Sequence, residues 1–314
     1  MTIAFGPVPS RRLGRSLGIN NIPPKSCSYS CLYCQVGSTV EKIVEPQLFF
    51  TPEEIYQAAN TKVKQSYAAD EPIEYLTFVP DGEPALDINL GKTIELLRSL
   101  DIPIAIISNA SLLSRRDVRE IFCLADWVSV KVDSISENIW KNLNRPHASL
   151  HLHDILNGVR DFAKQFSGQL VSETMLIENI NDSLDSVEGI ADFLSEVGVS
   201  KAYLSIPTRP TAEIGIRAPS ELVVTQAYQC FSRTLPHVEY LIGYEGDAFA
   251  VTDDIQEDLL SITAVHPIRE SAIKEMLIRA KGDWSMIDEL IDDGKIKEVD
   301  YLGQRYYVRR FAEK

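Results

Sequence analysis

Hydrophobic and polar positions follow two alternating patterns along this chain. Short apolar runs, typical of β-strands, are separated by longer segments with the 3.6-residue period of amphipathic helices. The runs predict strands at residues 17–22, 74–79, 103–108, 127–132, 170–177, 201–206 and, with a weaker pattern, 238–242. The segments between them predict helices at residues 52–67, 88–100, 114–123, 153–166, 184–197 and 219–234. Strand and helix therefore alternate regularly.

The composition of the strands indicates how the sheet is built. The run Ile104-Ala105-Ile106-Ile107 is apolar throughout, as in parallel strands that are buried on both faces. A strand–helix unit repeated this often is compatible with a doubly wound sheet or with a partial barrel. We predict an α/β fold of the second kind, a partial (β/α)6 barrel of the TIM type.

The pattern changes after about residue 260. Two predicted helices, at 269–280 and 284–291, precede two alternating runs, at 295–299 and 304–309. Two helices followed by a hairpin outline a small winged-helix-like domain. We therefore divide the chain into a barrel (1–245), a linker (246–260) and a winged-helix-like domain (261–314), with a joint near His266-Pro267.

Charge narrows the classes of partner. The 314 residues include 31 basic and 45 acidic residues, for a net charge of −14, which excludes a protein that coats nucleic acid through bulk charge. Residues 261–314 are neutral, with ten basic and ten acidic residues, whereas the first 50 residues are locally positive. There, Arg11, Arg12 and Arg15 are either solvated or face an anionic substrate or an acidic redox partner.

The N-terminal segment carries prolines and arginines but no apolar core of the kind that signal peptides have. No run of about 18 apolar residues is present, so no membrane span is predicted. We expect a monomeric protein in the cytoplasm. In that reducing compartment, closely spaced cysteines ligate metal or perform redox chemistry more often than they form disulfides.

Three of the five cysteines are clustered, in the order Cys27-x3-Cys31-x2-Cys34. Three thiolates can bind three irons of a [4Fe–4S] cluster and leave the fourth iron open to another ligand. Two alternatives remain: unliganded thiols, or structural zinc with a distant fourth ligand such as His147, His151 or His153. The isolated Cys123 and Cys230 fall in helical segments and are expected to be free thiols.

The cysteine spacing, with the aromatic Tyr33 directly before the last cysteine, resembles the motif of the radical S-adenosylmethionine (radical SAM) superfamily. The resemblance covers roughly residues 5–245. It implies that the open iron binds S-adenosylmethionine, that Tyr33 packs near the adenine, and that the reduced cluster cleaves the cofactor to methionine and a 5′-deoxyadenosyl radical. It also implies a reductant such as flavodoxin or ferredoxin.

A second motif follows the predicted strand at 74–79. Pro80-Asp81-Gly82-Glu83-Pro84 reads as a turn on its own, but it also resembles the Gly-Gly-Glu-Pro motif of the superfamily, with Asp81 in place of the first glycine. The resemblance implies that Gly82 offers its backbone, and Glu83 its carboxylate, to the ammonium group of the cofactor.

Polar residues near the ends of later strands complete the candidate cofactor site. The resemblance implies that Asn109 lies near the cofactor, although a capping role in a loop is the simpler interpretation. Lys131 and Asp133 share one face of a strand whose other residues are apolar, and they either form an internal salt bridge or contact the ribose or carboxylate of the cofactor. Glu173 invites the same interpretation.

The substrate is not readable from these motifs. The segment at 5–18, Ile206-Pro207-Thr208-Arg209-Pro210 and the segment at 262–267 resemble an uncharacterised branch of Fe–S oxidoreductase-like proteins that is grouped with wyosine-synthesis enzymes, which modify a tRNA base. Those enzymes use a second cluster held by cysteines upstream of the motif, and no cysteine precedes Cys27 here. We therefore predict hydrogen abstraction from an unidentified substrate, an RNA base or a protein.

The C-terminal domain supports a rival hypothesis, a non-catalytic iron–sulfur or zinc protein that senses redox state or docks to a partner. Its second helix is rich in acids, which disfavours insertion into a nucleic-acid groove. Contact through its hairpin, docking to a protein, or a lid over the barrel are the remaining possibilities. The hairpin carries Arg305, Tyr306, Tyr307, Arg309 and Arg310.

Overall fold

A computed structural model describes residues 2–242, 249, 254–265 and 267–310. Its main sheet has eight strands in sequence order and curls into a partial barrel. The strands are β1 (Ala4–Ser10), β2 (Gly14–Ile19), β3 (Tyr75–Phe78), β4 (Ile104–Ser108), β5 (Trp127–Lys131), β6 (Gln169–Met175), β7 (Lys201–Ser205) and β8 (Val238–Leu241). Strands β2 to β8 are parallel, and β1 is antiparallel to β2. The predicted partial barrel is confirmed.

Helices connect the parallel strands. They are α1 (Pro52–Ala68), α2 (Leu90–Leu97), α3 (Arg116–Phe122), α4 (Glu137–Asn144), α5 (Leu152–Gln165), α6 (Leu184–Val197) and α7 (Glu221–Thr234). Local sequence fixes their ends. The Glu54 amide donates to Thr51 Oγ1 at 3.2 Å while the Thr51 amide donates to Glu54 Oε2 at 2.8 Å, a complete capping box for α1. Ser183 caps α6, which ends at Gly198 with φ of 74°.

The main core lies between the sheet and these helices. Strand residues such as Ile104, Ile106, Val128 and Val130 are completely buried against helix residues such as Ile94. This burial explains why a strand segment such as residues 104–107 is apolar throughout, since one face of the sheet meets the helices and the other faces the barrel interior.

Three elements differ from the sequence prediction. Strand β1 was not predicted, because Pro7 and Pro9 argue against a strand; it lies at the edge of the sheet, where proline is tolerated. The first predicted strand, 17–22, lies at Gly14–Ile19 instead. Helix α4 was also missed, because it has only eight residues, and its N-cap residue Ser136 makes no side-chain cap.

The C-terminal part has a separate core. It contains α8 (Ile255–Val265), β9 (Ile268–Arg269), α9 (Glu270–Ala280), α10 (Ser285–Asp292), β10 (Ile296–Tyr301) and β11 (Gln304–Arg309). Its three strands pair in the order β10-β11-β9. The predicted helices and hairpin are present, but α8 spans both sides of the predicted boundary at 260/261, since Ile255, Leu259 and Ile262 pack into this second core. The division into barrel, linker and domain stays a prediction, and His266 lies outside the described residues.

The C-terminal part contacts the barrel at several points. Tyr301 Oη donates to the carbonyl of Pro207 at 3.1 Å, and Tyr306 Oη donates to the carbonyl of Thr208 at 3.0 Å. Lys62 of α1 forms a 3.2 Å ion pair with Asp258 of α8. Within the described part of the chain, no helix is both long and apolar enough to cross a membrane.

Candidate active site

The three clustered cysteines lie on the loop that leaves β2 at the carboxyl end of the sheet, the edge at which α/β folds bind ligands. Backbone hydrogen bonds attach this loop to the end of α4 and the residues after it. The Ser30 amide donates to the Asn144 carbonyl at 3.1 Å, the Leu32 amide to the Leu143 carbonyl at 3.0 Å, and the His147 amide to the Ser28 carbonyl at 2.8 Å. The missed helix α4 therefore positions the cysteine motif.

Nitrogen donors point at the sulfur atoms of two of these cysteines. Asn109 Nδ2 lies 3.5 Å from Cys27 Sγ, and Asn144 Nδ2 lies 3.5 Å from Cys31 Sγ. The Tyr29 amide also donates to Cys27 Sγ at 3.5 Å. Such N–H···S contacts suit sulfur atoms that carry negative charge, as cluster ligands do.

The electrostatics of the three thiols favour a bound cation. Burial raises the pKa of Cys27 and of Cys34, and it raises the pKa of Cys31 to about 12. The neighbouring sulfurs raise the pKa values of Cys27 and Cys31 further, because their negative charges would repel each other. Metal binding offsets this cost, since a coordinated thiol is deprotonated outright.

The described side chains do not form a compact site for a single metal ion. Among the residues that the structure describes, no three His, Cys, Asp or Glu side chains converge closely enough to hold one metal ion. In a cluster, each thiolate binds its own iron and wider spacing is required. Two of the proposed zinc ligands also have other partners: His147 Nδ1 contacts Ser149 Oγ at 2.8 Å, and His153 Nε2 contacts Asn157 Nδ2 at 2.9 Å.

The loop after β3 lies directly beside the cysteine loop. The Lys25 amide donates to the Asp81 carbonyl at 2.7 Å, and the Glu83 amide donates to the Ser26 carbonyl at 3.0 Å. Gly82 has a structural reason to be glycine, because any Cβ there would collide with the carbonyl of Ser26. The two motifs identified in the sequence are therefore brought together.

Glu83 is completely buried and joins three chain segments. It accepts hydrogen bonds from the Ala85 amide at 3.1 Å, from Ser108 Oγ at 2.8 Å and from the Asn109 amide at 2.8 Å. Burial raises its pKa to about 7, although these bonds act in the opposite direction. Asn109 is thus placed at the site by Glu83 and in turn contacts Cys27.

Tyr33 and Asp133 form a buried pair next to Cys31. Tyr33 Oη donates to Asp133, and Asn144 Nδ2 donates to Tyr33 Oη at 3.1 Å and to Asp133 Oδ2 at 2.8 Å. Burial and the Asp133 carboxylate raise the pKa of Tyr33 well above its usual range. Sequence reasoning missed Asn144, which no local pattern distinguishes from other helix-terminal asparagines.

Lys131 forms an internal salt bridge with Glu173, a residue of the neighbouring strand β6. Its Nζ lies 2.9 Å from Glu173 Oε1 and 5.0 Å from the centre of the Tyr33 ring. Arg12 pairs with the other Glu173 oxygen. Burial alone would raise the pKa of Glu173, but the two cations outweigh it and lower that pKa to about 2. Arg15 instead pairs with Glu71 at 2.8 Å.

A cavity of about 200 Å³ opens beside this salt bridge, between the β1–β2 hairpin and strands β6 to β8. It reaches Gln35, the residue after Cys34. Its lining residues are Phe5, Val8, Pro9, Ser10, Arg11, Arg12, Leu13, Ser16, Gln35, Thr77, Val79, Ile107, Glu173, Met175, Ser205, Ile206, Thr208, Arg209 and Leu241.

The two isolated cysteines lie away from the clustered ones. Cys123, at the end of α3, and Cys230, buried in α7, pack in the main core.

Comparisons with known proteins identify the family and the fold of the chain. A family model described as the radical SAM superfamily matches residues 21–194. UPF0026 protein MJ1312 of Methanocaldococcus jannaschii is 44% identical over 316 residues, which cover 100% of this chain and 98% of that protein. Two solved structures share the fold. A radical SAM methyltransferase from Sphaerobacter thermophilus superposes with a TM-score of 0.53 at 15% identity, over 72% of this chain and 66% of that chain. TYW1 with a lysine-pyruvate adduct bound superposes with a TM-score of 0.54 at 16% identity, over 71% of this chain and 76% of that chain.

Proposed function

The chain belongs to the radical SAM superfamily and to the UPF0026 proteins, and from that premise we propose that it cleaves S-adenosylmethionine reductively and uses the resulting radical to abstract hydrogen from a substrate. Members of the superfamily use a [4Fe–4S] cluster and S-adenosylmethionine, and they require a reductant. The observation that carries the proposal is the cysteine loop at the carboxyl edge of the sheet, with amide donors aimed at two of its sulfurs.

In this proposal each clustered cysteine, Cys27, Cys31 and Cys34, binds one iron. The cluster would leave one iron open to the amino and carboxylate groups of S-adenosylmethionine, and in its reduced state it would supply the electron that cleaves this cofactor to methionine and a 5′-deoxyadenosyl radical. The cysteine loop lies beside the two loops that carry Glu83 and Asn109. The Glu83 amide donates to the carbonyl of Ser26, the residue before Cys27, and the Glu83 carboxylate accepts from the Asn109 amide.

Six further residues are proposed to hold S-adenosylmethionine. The Glu83 carboxylate and the Gly82 carbonyl accept hydrogen bonds from its ammonium group. A carboxylate and backbone carbonyls are suitable acceptors for such a cation. Tyr33 presents its ring to the adenine, with its hydroxyl held by Asp133. Asn109, Lys131 and Asp133 are proposed to supply polar contacts to the cofactor, since all three lie at or just after the carboxyl ends of the neighbouring strands β4 and β5.

The reductant that we propose is flavodoxin or ferredoxin, and the protein is proposed to act as a monomer in the cytoplasm. In this proposal residues 1–245 form the catalytic unit and residues 261–314 a winged-helix-like unit joined to it by a linker. An RNA base or a protein side chain, suggested by the sequence, is the less favoured substrate.

Anaerobic reconstitution tests the proposal. The wild-type protein should bind about four irons and four sulfides per chain and should form 5′-deoxyadenosine when S-adenosylmethionine and dithionite are added. Cys31→Ala should lose both properties, whereas the matched control Cys123→Ala, which changes a cysteine outside the motif, should keep both. Stoichiometric zinc without cofactor cleavage would instead support a non-catalytic metal protein.

A further inference from the structure

The cavity beside Glu173 has the position expected of a substrate site. It is bounded on one side by Gln35, the residue after Cys34, and on another by Glu173 and Ser205 at the ends of β6 and β7. A molecule in this cavity would lie next to the cluster loop without displacing the residues that bind the cysteine motif. The inference below rests on the proposed function and concerns what that site binds.

The cavity wall combines apolar surface with arginine side chains. Among the lining residues that the structure describes, three are arginines (Arg11, Arg12 and Arg209) and one, Glu173, is a carboxylate. Glu173 is shared between two cations, Arg12 and Lys131.

Arg12 is the arginine best placed to bind a ligand. It uses Nη1 for Glu173, while its Nε is buried and has no hydrogen-bond partner among the described residues. A buried N–H without an acceptor costs free energy, which an anionic ligand would recover. Guanidinium groups match the geometry of carboxylates and phosphates, to which they donate paired hydrogen bonds.

The walls limit the size of the ligand. The cavity volume of about 200 Å³ is below the roughly 300–1,000 Å³ of pockets for drug-sized ligands. The loop that carries Thr208 and Arg209 closes one side, and it is held by the C-terminal hairpin through Tyr301 and Tyr306 and by the bond from Arg209 Nη1 to Gln35 Oε1 at 3.2 Å. A small metabolite suits this space better than a segment of RNA or protein.

We propose that this cavity binds the substrate, and that the substrate is a small organic anion whose carboxylate or phosphate group is held by Arg12. The apolar residues opposite, such as Val79, Ile107 and Met175, receive its carbon skeleton. The C–H bond that breaks lies on that skeleton: its hydrogen atom passes to the 5′-deoxyadenosyl radical, which becomes 5′-deoxyadenosine, and the unpaired electron remains on the substrate carbon.

Isotope transfer identifies the class of substrate. Cells that carry the gene are grown on deuterated medium, and their extract is divided into macromolecules, small anions retained by an anion-exchange resin, and small neutral or cationic molecules. Each fraction is added to the reconstituted protein with S-adenosylmethionine and dithionite, and the mass of the 5′-deoxyadenosine is measured. Deuterium should come from the small anions. Deuterium from another fraction, or from none, overturns this inference, whereas absence of 5′-deoxyadenosine under all conditions overturns the proposed function itself.

A binding measurement tests the role of Arg12 without turnover. The same small-anion fraction is dialysed to equilibrium against the reconstituted protein without reductant, and retained species are identified by mass spectrometry. We expect a species that wild type retains and that Arg12→Gln retains at least tenfold less, with Arg12→Lys in between because it keeps the charge but loses the paired donors. Arg116→Gln, which changes an exposed arginine of α3 paired with Glu120, is the matched control and should bind like wild type. Equal retention by a folded Arg12→Gln protein contradicts the assignment, and circular dichroism checks folding.

If carboxylates and phosphates are both present among the retained species, competition separates them. Inorganic phosphate and pyruvate are added in parallel dialyses over the same series of concentrations. The substrate carries the anionic group of the competitor that displaces it at the lower concentration. Displacement by neither probe, with retention unaffected by Arg12→Gln, would show that the anionic group does not determine binding.

Discussion

Two asparagine side chains contact the cluster motif from different elements. Asn109, which follows β4, donates to Cys27 Sγ, and Asn144, at the end of α4, donates to Cys31 Sγ. Hydrogen bonds to the sulfurs of an iron–sulfur cluster are among the factors that set its reduction potential. Donors of this kind stabilise the more negatively charged, reduced state and raise the potential.

Replacing Asn144 by alanine should therefore make the proposed cluster harder to reduce. We expect the midpoint potential of Asn144→Ala to fall on the order of tens of millivolts, where 59 mV corresponds to a tenfold change for a one-electron couple. A redox titration followed by electron paramagnetic resonance measures the shift. Asn157→Ala, in which the lost amide contacts only α5 side chains, serves as the control. An unchanged potential at full iron content would mean that this bond has no electronic effect.

The residues of the site differ in how well sequence alone could identify them. Cys27, Cys31 and Cys34 are recognisable because their ligand function imposes a fixed local spacing. Asn144 could not be identified, since it meets Cys31 from 113 positions away and only the fold brings the two together. Arg12 was identified as a candidate for anion binding, but its pairing with Glu173, 161 positions later, required the structure.

At the scale of whole elements, α5 packs closely against the loop after β4, the loop that carries Asn109. Gly158, in the middle of α5, packs directly on the backbone of Leu113 and Ser114, and any Cβ at this position would overlap those atoms. The helix can approach the loop this closely only because residue 158 has no side chain. The cost of a helical glycine is therefore offset by packing.

Gly158→Ala should destabilise the protein although alanine is the better helix former. On propensity alone, glycine to alanine stabilises a helix interior by about 1 kcal/mol; here we expect a loss of roughly 1–3 kcal/mol, because the backbone must move apart. Urea unfolding measures the difference. Gly189→Ala in α6 is the matched control, since its new Cβ would meet only the flexible end of the Ile135 side chain. Equal effects of the two substitutions would show that close packing at Gly158 is not limiting.

Elements were predictable where burial alone determined them. The fully apolar β4 and the strongly periodic α6 lie at or near their predicted limits, because each buries a continuous surface. Strand β1 was not predictable, since its prolines are tolerated only because it lies at the edge of the sheet. That position follows from the fold and not from the local sequence.

In the whole molecule, the C-terminal part reaches the proposed substrate cavity indirectly. The hydroxyls of Tyr301 and Tyr306 hold the loop after β7, and that loop carries Arg209, which contacts Gln35 beside the cysteine motif. The sequence allowed a lid, a nucleic-acid contact or a docking module for this part. Those alternatives could not be separated from the sequence because the contacts join segments more than 90 positions apart.

If the C-terminal hairpin fixes this loop, removing the two hydroxyls should loosen the loop while both cores remain folded. In the double variant Tyr301→Phe/Tyr306→Phe, we expect faster amide hydrogen exchange at residues 206–216 than in wild type. The loss in global stability should be only about 1 kcal/mol for each hydrogen bond removed. Hydrogen exchange followed by mass spectrometry measures the local change, and Tyr67→Phe, at an exposed tyrosine of α1, controls for the loss of a hydroxyl. Faster exchange confined to residues 206–216 supports a role of the two tyrosines in shaping the cavity. If exchange rises throughout residues 267–310 and not at 206–216, these tyrosines stabilise the C-terminal core and leave the cavity wall unaffected.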